Sequence, residues 1–173
     1  MREPPPGWLT FGRAAGFPAV QLRPFTLGHA FLLERLGLSA LPDLETECGL
    51  GGLALMLAAC SRPYQRATKL LNSWRGRWIV YWSALRFLAP VSRLVGRLQF
   101  QQYLISSWGG LNPLDDFPAL LDNGHPLHLI LSVLSRRGYS DEAALDLPVA
   151  RALAEARGVL VVDAANIDAN RKI

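Results

Sequence analysis

A mainly α-helical single domain, with a short N-terminal β-hairpin or extended arm, is the fold class this sequence predicts. Three observations lead there. Apolar residues recur at helical spacing from Leu27 to Arg157, Ser, Thr and Pro stand at plausible helix starts, and Gly37, Gly138 and Gly158 stand at plausible stops. At 173 residues the chain suits one domain and is long enough to hide a self-sufficient core. Half of it is apolar and its net charge is only +4, which excludes global disorder. Its two cysteines, Cys48 and Cys60, cannot staple a chain of this length and read as small core residues. The expected plan is an extended arm or hairpin over 1–25, a bundle of about five to seven helices over 26–158, and a tail over 159–173.

Taken in order, Leu9–Phe11 and Ala19–Arg23 are extended candidates separated by Gly12–Pro18, a hairpin or an irregular arm. Thr26 is placed to cap a helix, LGHAFLLERLG, that Gly37 stops. Leu41–Glu47 is an acidic linker, and Gly49–Cys60 is apolar nearly all round, as a helix at the centre of a small bundle would be. Pro63 opens a helical pattern of some 25 residues, which Pro90 ends or kinks. On it Ala67, Leu70, Leu71, Trp74, Trp78, Tyr81, Trp82 and Leu85 fall within one arc of about 120°, opposite Arg62, Arg66, Lys69 and Arg77. Val91–Trp108 is a further helix with Leu94, Leu98, Gln101 and Ile105 along one side. A Pro/Gly loop follows to Pro126, then helices at Leu127–Arg137, at Asp141–Asp146 behind the Ser140 cap, and from Pro148 to Gly158. Val159–Val162 is a short strand or extended tail, and Asn166–Ile173 a frayed end. The expected core is Leu53, Leu57, Leu71, Trp74, Trp78, Leu85, Leu94, Leu98, Leu131 and Leu134.

Catalytic signatures are absent from the pattern. His125 and His128 have Pro126 between them and no companion metal-ligand motif. Asp115, Asp116 and Asp122 sit in the Pro/Gly loop without a base or nucleophile beside them, which favours a solvated loop over acid–base work. Gly49-Leu50-Gly51-Gly52 lacks the Lys-Ser/Thr of a phosphate loop. Cys60 lies near Arg62, but a packed thiol is the commoner fate of such a residue. The chain is therefore read as non-enzymatic, with no cofactor and no metal. Met1–Val20 has no signal-peptide pattern, and Trp78–Ala89 is too short to span a bilayer and holds Arg86, so a cytoplasmic location is expected.

Charge is the strongest clue to function. Between Cys48 and Leu114 there are eight bases and no acid, and all 14 acids lie outside that stretch. The bases on the long helix therefore have no carboxylate four residues away to pair with. Three readings of the run stand: an ordinary solvated face, a dock for an acidic partner or a second copy, and a surface for nucleic acid or anionic membrane. Arg62, Arg66, Lys69 and Arg77 are the candidate partner-binding residues. Trp74, Trp78 and Trp82 would suit base stacking, but their place opposite the bases favours a buried stripe or a protein interface.

Three segments carry a resemblance. Leu22–Gly37 (LRPFTLGHAFLLERLG), Cys60–Ala67 (CSRPYQRA) at the end of the apolar helix, and Tyr139–Gly158 (YSDEAALDLPVARALAEARG) resemble small proteins of tailed phages and prophages. Those proteins are encoded among tail genes, near the tail assembly chaperones. The resemblance implies a helical, cytoplasmic protein of a bacterial host that assists tail assembly by binding another tail component, with no catalytic residue to carry over. The alternative is a nucleic-acid-binding module using the basic central face.

Overall fold

A computed structural model describes residues 9–12, 17–40, 49–109 and 126–158. The fold is mainly helical with a two-stranded antiparallel hairpin at its N-terminal side. Strand β1 (Leu9–Phe11) pairs with β2 (Val20–Leu22), Thr10 opposite Gln21. Then come α1 (Leu27–Arg35), α2 (Leu50–Cys60), α3 (Tyr64–Leu71), α4 (Trp74–Leu85) and α5 (Pro90–Ser107). After these lie α6 (Pro126–Arg136), α7 (Asp141–Asp146) and α8 (149–158). The acidic linker, Cys48, the loop carrying Asp115, Asp116, Asp122 and His125, and the tail from Val159 lie outside the described residues.

The apolar α2 is the axle of the bundle, packing against α1, α3, α4 and α5. Leu53, Ala54, Met56, Leu57, Ala58, Ala59 and Cys60 are all buried on it. Its end is tied to the segment after β2, where the Arg23 N–H donates to the Cys60 carbonyl at 2.9 Å. The C-terminal helices close on the same segment. Leu27 N donates to Leu147 O, and Val149 N to Phe25 O, so the start of α1 and the α7–α8 corner form a bridge.

Helix boundaries follow local chemistry. Gly37 and Gly138 adopt φ of +73° and +89°, the left-handed conformation that stops α1 and α6. The expected 25-residue helix is instead two helices. Ser73 breaks it: its backbone is extended, its Oγ donates to Leu70 O at 2.6 Å, and the Gly76 N–H donates back to that Oγ at 3.1 Å. The hydroxyl thus closes one helix and caps the next. Gly76 permits the junction, because a Cβ there would stand 2.0 Å from the Leu70 carbonyl oxygen. The described residues accordingly hold eight helices.

The core differs from expectation in a systematic way. Leu53, Leu57 and Leu134 are buried and Leu71, Leu85 and Leu131 half-buried, but Trp74, Trp78, Leu94 and Leu98 are exposed. The largest buried side chains are Trp108, Tyr103, Phe25, Phe87 and Phe100. On α4 the inward face is Gly76, buried against the end of α3, with Ile79, Val80 and Ser83 half-buried, and the helix packs chiefly on α2. On α5 it is Gly96, Phe100, Tyr103 and Leu104, covered in part by Phe11 of the hairpin, whose ring lies 4.8 Å from that of Phe100. Both helices are apolar on two faces, so periodicity marks the stripes without saying which one is inside.

Candidate functional site

The outward faces of α4 and α5 carry two exposed apolar stripes, consecutive in the chain. Among the described residues, ten of the eleven exposed large apolar side chains lie between Trp74 and Ile105. Trp74, Trp78, Tyr81, Trp82, Leu88, Val91, Leu94, Leu98 and Ile105 recur along them, and the run passes through the turn at Phe87–Ala89. Trp74 is 68% exposed, Trp78 56% and Trp82 59%. The rings touch one another: Trp78 and Tyr81 are 6.0 Å apart edge to face, and Tyr81 and Trp82 6.1 Å. Isolated exposed apolar residues are ordinary on monomers, whereas contiguous clusters such as Trp78, Tyr81 and Trp82 mark interaction sites.

Bases border the aromatic run. Arg75 lies over the Trp74 ring at 5.6 Å, and Arg77 and Arg93 are exposed. Of the residues singled out from the sequence, Arg66 and Lys69 are exposed on α3, and Arg77 is exposed beyond the Ser73 break on α4. Arg62 is half-buried at the α2–α3 corner, where its Nη1 donates to Ala58 O at 3.1 Å and to Ser61 Oγ at 2.8 Å. The four bases therefore occupy two helices and a corner. Ion pairs on Glu155 of α8 come from Arg151 on the same helix and from Arg137 just past α6; among the described residues no carboxylate pairs with Arg66, Lys69 or Arg77.

Other candidate groups have structural surroundings. His29 is buried at the start of α1, where its Nδ1 accepts from the Thr26 N–H at 3.2 Å. A backbone N–H can only donate, so the proton sits on Nε2, which donates to Arg62 O at 2.7 Å. Both bonds need the neutral ring, and burial lowers the pKa of His29 below the ordinary 6.5. Cys60 is fully buried and its thiol is pushed up to about 12, so it holds no thiolate at neutral pH. Tyr103, beside it, donates to Arg23 O at 2.7 Å. His128 is exposed with its ring edge-on to Phe31. No group of three metal-ligating side chains occurs among the described residues, and no described helix is long and apolar enough to cross a membrane.

One feature escaped the pattern reading altogether. Arg86, seen in the sequence as one of eight central bases and a break in an apolar run, is 6% exposed and packs against Phe17 and Pro18. The single signal for it was a lone base among aromatic and aliphatic residues. Comparison with family models, with curated proteins and with solved structures returns no match.

Proposed function

We propose that this chain is a non-enzymatic binding protein that holds another protein on the outward face of α4 and α5. The observation that carries the reading is the run of exposed aromatic and aliphatic side chains from Trp74 to Ile105, bordered by arginines. Trp, Tyr and Arg are the residues that anchor protein interfaces. A partner with an apolar patch rimmed by Asp and Glu matches this face in both respects, since the segment from Cys48 to Leu114 supplies no acid of its own. The resemblance to tail-region proteins of phages supplies the setting, an adaptor or chaperone for a tail component in the host cytoplasm.

The test is co-purification from the native host, followed by reconstitution with the purified partner. One protein should accompany the wild-type chain in fixed ratio and be lost from a Trp78→Ala/Trp82→Ala variant that keeps its unfolding midpoint. Arg66→Glu/Lys69→Glu should weaken the reconstituted complex and slow its formation, with little effect on stability, because exposed charges mainly steer association. An unaltered complex in both variants would refute the docking face.

A second reading is favoured by one observation. The tryptophans are exposed beside Arg75 and Arg77, as a stacking platform for single-stranded nucleic acid requires. Mobility shift across a salt series separates the two. Steep loss of binding with salt identifies phosphate neutralisation, and no shift at low salt leaves the protein partner.

A further inference from the structure

Next to the aromatic face, and sharing Trp82 with it, lies a pocket of about 340 Å³, within the usual range for small-molecule sites. Phe17, Val20, Leu57, Ile79 and Trp82 give it a mostly apolar lining, and Arg86 stands in its wall. The guanidinium is held by two contacts: Nη2 donates to Pro18 O at 3.0 Å, and Cζ lies 5.2 Å from the Phe17 ring centroid. Its Nη1 is buried and has no hydrogen-bond partner among the described residues. A buried cation without a counter-ion is costly, and here none of the lining residues is acidic.

We propose that this pocket binds a carboxylate carried on an apolar body, such as a fatty or aryl acid, with the carboxylate on Arg86 Nη1. The apolar lining takes the body, and the Ser61 hydroxyl and Arg62 at the rim add polar groups near the head. A single negative charge suits the site better than a phosphate dianion. Arg86 has one uncommitted terminal nitrogen, and Arg62 Nη1 is already spent on Ala58 O and Ser61 Oγ. The pocket shares Trp82 with the aromatic face, but its ligand is tested without any protein partner, so failure of one reading is distinguishable from failure of the other.

Calorimetric titration of the full chain with decanoate, and with decan-1-ol as the uncharged control, tests it. Decanoate should bind with one site per chain and at least about tenfold more tightly than the alcohol, as a charge-assisted hydrogen bond implies. Arg86→Gln should erase that preference. Ser83→Phe, which leaves Arg86 in place and fills the pocket from a half-buried lining position, should abolish binding while keeping the unfolding midpoint near that of wild type. Arg136→Ala, on α6 and outside the lining, should bind as wild type does. Equal affinity for acid and alcohol, undiminished binding by Ser83→Phe, or no binding at millimolar decanoate would each overturn the proposal.

Discussion

At the residue scale, His29 links three parts of the chain: the Thr26 cap, α1 and the carbonyl of Arg62 at the head of α3. Protonation would put a second donor on Nδ1, facing the Thr26 N–H, so the bonds favour the neutral ring. Its folded pKa lies below 6.5, so in acid the unfolded chain binds the extra proton first. The stability it contributes is complete above the ordinary 6.5 and is lost as pH falls from there through the lowered folded value. Denaturant unfolding from pH 8 to pH 5 should therefore show a loss of stability that His29→Ala removes. That variant should itself cost ~1–3 kcal/mol at neutral pH, by stranding buried polar groups. Cys60 gives a second residue-scale expectation: the native protein should leave it unmodified by a thiol reagent that labels it promptly in urea. Thr26 as a cap was legible in the sequence because capping is local. Arg86 was not, because what holds it, Pro18 and Phe17, lies 68 and 69 positions away.

At the element scale, the junction of α3 and α4 rests on Ser73 and Gly76. Ser73→Ala removes the cap and should cost about 1 kcal/mol. Gly76→Ala must push the Leu70 carbonyl away and should cost ~1–3 kcal/mol despite the better helix propensity of alanine. The break was legible only as a Ser inside a helical pattern, where tertiary closeness decides between a continued helix and a new start. The tryptophans give the sharper contrast. Trp108 is fully buried and its Nε1 donates to Ala40 O at 3.0 Å, so Trp108→Ala should cost ~3–5 kcal/mol. Trp78→Ala, at an exposed site, should stay within about 0.5 kcal/mol of wild type. Chemical denaturation of the two variants side by side checks both figures. The stripe itself was readable from spacing. Its direction was not, because α2 accepts the small face of α4 more closely than it would accept indoles.

At the scale of the whole molecule, the bundle is closed by α7 and α8 pairing with the start of α1, while the central third presents bases and apolar rings outward. The helical class and the uneven charge were plain in the sequence, since composition and periodicity report them directly. The exposed apolar faces depend on the packing of the other sides, of α4 on α2 and of α5 on α2 and β1, which spacing alone does not report. Because the charged rim acts at long range, raising salt from about 50 to 500 mM should slow association with the partner more than it speeds dissociation. On the proposed function, the aromatic face serves binding and leaves the fold to other residues. The most direct test measures the unfolding midpoint and the partner affinity of Trp78→Ala/Trp82→Ala in one preparation. An unchanged midpoint with affinity reduced at least tenfold is the predicted result. A midpoint that falls as far as that of Trp108→Ala, or an affinity that does not change, would contradict it.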